Sequence, residues 1–439
     1  MSPKVINRLC IVVAALAVVT AFALPAAAQK TKVVFATAHA ATGAPERVQV
    51  FMEQNPDIEV EIVSLSGLSI DQIRDKLYSM IAAGQPVDVI RLSGVLFQEW
   101  VSSGLTLDLA PYFSRTGSDA FLDDMHAFAL RAVSRDGKVY GLPEDPTTDW
   151  MIVNLGAFDR AGLESPFAIY ESGDWTWDTM RSVAARFKAL GSVDDPFFPI
   201  TTLINNDLGL MPWIMGSGGD FFNEDGSEVR INSQEVLRGI EFALELMDEG
   251  LMNGPHSPMG WQDIFARDRW GMAIWWVTFP SYLNVNAPAS DVDLIPLPRS
   301  AHPGFSTPAN INTYVISSTT SVPEAAFRLA TWLGGPEHYR LALTGEAHPD
   351  QPYIFSWPSA YASADQMFIE IVSERLDVQG LRYYRDAVAS ARAINQPKRA
   401  ATTAQSMVYE ALAKVWTHET PVPTALENLS RELQALISG

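Results

Sequence analysis

Apolar positions along the chain change period several times, and the order of the changes predicts a layered α/β opening. Residues 31–38 (TKVVFATA) are a short apolar run suited to a buried first strand. Residues 45–54 read as a helix. Asn55-Pro56-Asp57 then makes a turn, and IEVEIVSL alternates like a strand. Next comes an amphipathic helix with Ile70, Ile73, Leu77, Met80 and Ile81 on one face. Ser69 and Gln72 are spaced as a capping box before it, and Gly84 closes it. Residues 86–90 (PVDVI) are another strand. A β-α-β-α-β order implies a parallel sheet with helices on its faces, and such sheets gather ligands at the carboxyl ends of their strands. That rule places Thr37 to Thr42 and Arg91 to Ser93 on loops facing a common crevice.

The texture changes after residue 135. Residues 135–154 (RDGKVYGLPEDPTTDWMIVN) hold a turn, a Gly-Leu-Pro break and a new apolar strand. Trp177 to Leu190 and Gln234 to Glu249 are spaced as helices, and 270–279 (WGMAIWWVTF) is dense enough for a buried strand. Residues 287–312 are rich in proline and small residues, and NTYVISS after them reads as a strand. The tail is helical in pattern, with amphipathic segments near 404–416 and 422–437. No internal repeat or low-complexity tract interrupts the series.

The first residues are an address rather than structure. Lys4 and Arg8 precede an apolar run from Leu9 to Leu24, which ends in Pro25-Ala26-Ala27-Ala28, a small-residue cleavage site. A secretory leader cleaved after Ala28 is expected. The run is short for a membrane span of about 20 residues. Cys10, the only cysteine, lies at the start of that run rather than at its end, so lipidation there is not expected. Cleavage would leave 411 residues without a thiol, enough for two domains held by apolar cores. Hydrophobic residues make up 47%, which a disordered chain would not carry. The formal charge is −20, or −22 without Lys4 and Arg8, which opposes binding to nucleic acid or anionic membranes.

Five passages in order resemble the family 1 extracellular solute-binding proteins, the group with the maltose- and glycerol-phosphate-binding proteins. They are DKLYSMIAAGQPVDVIRLSGVLFQEWVSSGLTLDL, then GKVYGLPEDPTTDWMIVNLGAFDRAGLESP with Thr176-Trp177 after it, then MGSGGDFFNEDGSEVRINSQEVLRGIEFALELMDEG, FARDRWGMAIWW and EAAFRLATWL. The likeness spans essentially the whole mature chain. It implies the two-lobe periplasmic-binding-protein fold, class II type, with a ligand cleft between lobes joined by crossing strands. Lobe one is expected at 29–142 plus 304–355, and lobe two at 143–303 plus 356–439. The function implied is capture of a small polar ligand, a mono- or oligosaccharide, by a monomer that delivers it to the permease subunits of an ABC importer. No cofactor, metal or catalytic residue is called for.

Candidate ligand contacts follow, each with a plainer role beside it. A flat indole buries the C–H face of a sugar while polar neighbours take its hydroxyls, yet tryptophan also fills cores. Trp275 and Trp276 are adjacent, so on a strand only one can face the cleft. The resemblance would put a glycine near 276 and a tryptophan at 278, where this chain has Thr278. Trp150 and Trp213 stand beside loops, whereas Trp177, Trp332 and Trp416 fit core positions. Glu144 and Asp145 follow the hinge Gly-Leu-Pro. Asn205, Asn206 and Asp207 precede the Gly-Ser-Gly-Gly loop, and Asn310 and Asn312 lie near the second crossing. His39 follows the first strand, and Arg91 and Ser93 end the third. Arg91 needs either an anionic ligand group or an acidic neighbour. A phosphodiester, sugar phosphate or quaternary amine is the alternative ligand. A secreted carbohydrate-active enzyme is a third reading, but the sequence has no G-x-S-x-G, H-E-x-x-H, P-loop or dinucleotide fingerprint.

Overall fold

The computed structural model describes residues 30–38, 44–345 and 357–439. His39, the leader with its cleavage site, and Cys10 lie outside the described residues. In chain order the main strands are β1 (Thr31–Thr37), β2 (Ile58–Ser64), β3 (Val89–Leu92), β4 (Leu142–Pro143) and β5 (Thr147–Asn154). They continue with β6 (Phe198–Thr201), β7 (Trp270–Trp276), β8 (Val292–Ile295), β9 (Thr307–Asn310), β10 (Thr313–Ile316) and β11 (Ala391–Ala393).

Two sheets organise these strands. The first has the order β2-β1-β3-β10-β4, with β1, β2 and β3 parallel and β10 antiparallel to β3. This is the parallel opening that the β-α-β-α-β pattern predicts. The second has the order β11-β9-β5-β7-β6, with β8 beside the far half of β5. A two-lobe α/β architecture results. Val33, Phe35, Val89 and Ile90 anchor the core of the first lobe. The second sheet is covered on both faces, by a cluster around Met151 and Val153 on one and around Trp150 and Ile152 on the other.

Local chemistry explains the helix ends. Around α1 (Ile70–Ala82) both halves of the capping box form. The Ser69 hydroxyl accepts from Gln72 N, and Gln72 Oε1 accepts from Ser69 N at 2.9 Å. Thr176 caps α2 (Trp177–Lys188) by accepting from Thr179 N at 3.2 Å. The apolar run expected to reach 279 leaves the sheet after Trp276, because Pro280 sits in the first turn of a helix, Phe279–Asn286.

The chain passes from the first sheet to the second between Pro143 and Thr147, and returns between Asn310 and Thr313. Strand β9, just before that return, pairs with β5 and β11 of the second sheet. The proline- and small-residue stretch 287–312 therefore contains two strands, β8 and β9, that periodicity does not reveal. The crossings are joined to each other, with Glu144 N donating to Asn312 O at 2.8 Å.

Candidate ligand site between the lobes

The expected polar contacts nearest the crossings form one buried network. Arg91, at the end of β3, donates to Glu144 and lies 3.4 Å from Asp145 Oδ2. Tyr314 donates its hydroxyl to Glu144, Arg47 is 3.7 Å from the same carboxylate, and Asn312 Nδ2 donates to Asp145 at 2.8 Å. Arg91, Glu144 and Asp145 are all buried. Burial and the neighbouring Glu144 push the Asp145 carboxyl up to about 7, against the pull of Arg91. Of the two roles expected of Arg91, the structure displays the acidic neighbours. The network pins both crossings to β3 and so positions the hinge.

Strand alternation sorts the tryptophans. Trp150, Trp213 and Trp275 are each at most 1% exposed. Trp150 Nε1 donates to Thr148 Oγ1 at 3.0 Å, Trp213 packs against Trp177 and Phe242, and Trp275 stacks on Phe279 at 4.2 Å. In this arrangement none of the three presents a free ring face, and all belong to the core of lobe two. Trp276 is the member of the adjacent pair that keeps exposed surface, at the end of β7 opposite Asp149 near the start of β5. Its ring lies 6.4 Å from that of Trp357.

The remaining candidates divide between structural and open roles. Asn206 caps the helix α3 (Asp207–Gly216), accepting from Gly209 N at 3.3 Å. Asp207 accepts from Gln405 Nε2 at 2.8 Å and from the Tyr409 hydroxyl at 2.6 Å, and burial raises its pKa. Ser93 follows β3, and among the described residues its buried hydroxyl has no hydrogen-bond partner. Asn310 is exposed at the crossing, and its Oδ1 lies 3.4 Å from where a Cβ on Gly94 would stand.

A cavity of about 200 Å³ lies between the lobes, bounded by Gly94 and Gln98 on lobe one, Asp207 and Arg392 on lobe two, and Asn310 between them. The lobes also touch directly. Arg74 Nη1 donates to Thr402 Oγ1 at 2.6 Å, Ala401 N to Glu99 at 3.2 Å, and Gln98 Nε2 to Asp225 O at 3.0 Å. Sequence reasoning missed these contacts, because they join positions up to 328 residues apart. It also missed Asp149, a buried carboxylate in β5 whose pKa is raised well above the ordinary value by burial and by Asp207. A charge inside the apolar strand TTDWMIVN was the available signal.

Two α/β lobes on hydrogen-bonded crossings, with a polar cavity between them, define a two-lobe periplasmic-binding-protein fold. The chain belongs to the bacterial extracellular solute-binding proteins, whose family it matches over residues 28–339. It is similar in structure to an ABC substrate-binding protein of Listeria monocytogenes in complex with cycloalternan. There the TM-score is 0.73 at 21% identity, covering 93% of this chain and 100% of that one. It is also similar to the sugar-binding protein MalE of Xanthomonas citri, with a TM-score of 0.76 at 16% identity over 93% and 98% of the two chains. A binding protein of Brucella abortus (strain 2308) is 24% identical over 229 residues, 52% of each chain. The chain thus spans about half the length of the curated relatives it matches.

Proposed function

We propose that this protein is the substrate-binding component of an ABC importer, and that it captures a carbohydrate outside the cytoplasm by hinge closure. The observation that carries the reading is the cavity bounded by both lobes and the crossing at Asn310. A ligand held first by one lobe gains contacts with the other only on closure, so it shifts the open–closed population by that difference in affinity. The closed form then docks on the membrane permease subunits and releases its sugar. The neighbours from Listeria monocytogenes and Xanthomonas citri support a sugar, and so does the part-exposed Trp276 at the end of β7 opposite Asp149.

In this reading the protein binds without turnover, needs no cofactor and acts as a monomer. The leader is cleaved after Ala28, Cys10 is not lipidated, and the mature chain works in the periplasm. Lobe one runs to Pro143 and lobe two starts at Thr147, with the return at Asn310 to Thr313. In this reading Ser93, Trp276 and Asn310 meet the ligand, and His39 keeps the role expected of it. A phosphorylated ligand is the second reading, favoured by Arg131 and Arg135 at the cavity. Arg135 already donates to Gln98, which argues for the neutral sugar. Isothermal titration with a broad panel of mono- and oligosaccharides tests the function. Saturable binding of one sugar class, recovered unchanged, is expected. Heat from none of them, or turnover of the bound sugar, would overturn the reading.

A further inference from the structure

The helix Ala401–Trp416 of lobe two begins without a cap of its own. Its N-cap residue, Ala400, is held at φ 52° and offers no side-chain acceptor, and the first turn carries no acidic residue. The first backbone N–H groups of a helix find no partner within it, and the positive end of its dipole lies there. Here the acceptor comes from the other lobe. Ala401 N donates to Glu99 Oε2 at 3.2 Å. Glu99 stands in the helix Gly94–Ser102, whose Leu96, Phe97 and Trp100 belong to the core of lobe one. The helix it caps packs Ala404, Val408 and Leu412 into the core of lobe two.

Lobe one holds Glu99 ready for this contact. The Tyr78 hydroxyl donates to Glu99 Oε1 at 3.0 Å, and the Tyr78 ring stacks on Trp100 at 5.6 Å. One carboxylate oxygen is thus fixed from within the lobe, and the other faces across the cleft. Arg74, one turn before Tyr78 on α1, reaches Thr402, the second residue of the capped helix. On the other side of Glu99, Gln98 reaches Asp225 O in the turn bridged by Phe222 and Val229. That turn is tied to the approach of the capped helix, since Lys398 N donates to Gly226 O at 3.2 Å. Three hydrogen bonds therefore join two neighbouring helices of lobe one to one face of lobe two. Gln98 also lines the cavity, whereas Arg74, Glu99 and Thr402 stand outside it.

We propose that Glu99 is a cap supplied in trans, which completes the helix Ala401–Trp416 only when the lobes meet and so latches the closed form. The inference rests on the hinge closure read above, but not on the nature of the ligand. Every group in the contact belongs to the chain, so the latch forms before a ligand adds its own contacts and holds a substantial share of the unliganded protein closed. A helix cap shifts an equilibrium by roughly tenfold. The complex with ligand is the closed form, so Glu99 raises apparent affinity by up to that factor from outside the cavity.

Small-angle X-ray scattering of the mature protein, stripped of any ligand by unfolding in guanidinium and refolded, tests the latch. Wild type is expected to scatter as a mixture rich in the compact form. Glu99→Ala should lower the closed-to-open ratio roughly tenfold and raise the radius of gyration, with a melting temperature close to that of wild type. Glu99→Gln should fall between them, because its amide oxygen still accepts from Ala401 without the charge. Thr402→Val, which leaves Glu99 in place, should expand the protein by less than Glu99→Ala. One radius of gyration shared by all four proteins would overturn the latch, and so would a lower melting temperature for Glu99→Ala with no expansion. Neither result bears on sugar capture, which the titration panel tests separately.

Discussion

Replacing Asp145 with asparagine should make the protein more stable at neutral and alkaline pH, and the gain should vanish in acid. Asp145 is buried in the hinge beside Glu144, and its carboxyl is pushed from an ordinary 3.8 up to about 7. Unfolded, the group gives up its proton near 3.8; folded, it keeps that proton until about 7. Between those values the folded chain binds the extra proton. Stability is therefore fully present below 3.8 and is lost as pH rises through about 7. At 1.36 kcal/mol per pH unit the full loss is at most about 4 kcal/mol. Asparagine keeps the shape and the bond to Asn312 but never ionises. The variant should match wild type near pH 4 and exceed it by up to this amount at pH 8. At about 2–4 °C per kcal/mol for an unfolding unit of 150–250 residues, the melting temperatures should separate by on the order of 10 °C. Scanning calorimetry of both proteins at pH 4 to 8 measures this. Asp220, pushed up to about 6 by burial despite Arg392, titrates in both proteins and cancels in the difference. Parallel curves across the range would refute the reasoning.

Three further substitutions probe other parts of the account. Trp150→Ala removes a fully buried indole and should destabilise by about 3–5 kcal/mol, read by thermal unfolding, with no change in which sugar is bound. Gly380→Ala would place a Cβ 1.5 Å from Leu294 O, so the variant should accumulate poorly or melt well below wild type. Thr402→Val breaks the hydrogen bond from Arg74 across the lobes. A contact of about 0.5–1.5 kcal/mol corresponds to a change in sugar affinity of up to about tenfold, measured by titration, with the fold intact.

Much of this architecture was legible because it is local. The face of Ile70, Ile73 and Leu77, the capping pair Ser69–Gln72 and the alternation of IEVEIVSL each depend on neighbours within a few residues, and each became the element expected. Strand β9 was not legible, since TPAN is four residues with a proline and pairs only through partners far along the chain. The site divides in the same way. Alternation says that one of Trp275 and Trp276 faces outward, but packing against Phe279 and Trp261 decides which. Glu144 and Asp145 looked like free acceptors because their partners Arg91, Tyr314 and Asn312 are separated from them by 53 to 170 residues. Asp149 was overlooked because its apolar neighbours dominate the strand pattern.

The central claim, that a sugar is captured between two moving lobes, is tested most directly by a distance across the cleft. Cys10 is the only cysteine, so a chain expressed from residue 29 can carry two engineered thiols and no others. Spin labels at Lys76→Cys on lobe one and Glu241→Cys on lobe two, both exposed positions, report the separation of the lobes. With the sugar that binds in the titration panel, the distance distribution should shift and narrow to one closed population, and the label-free protein should gain about 2.7 kcal/mol at a hundredfold excess over Kd. A saturating sugar that leaves the distribution unchanged would contradict capture by closure.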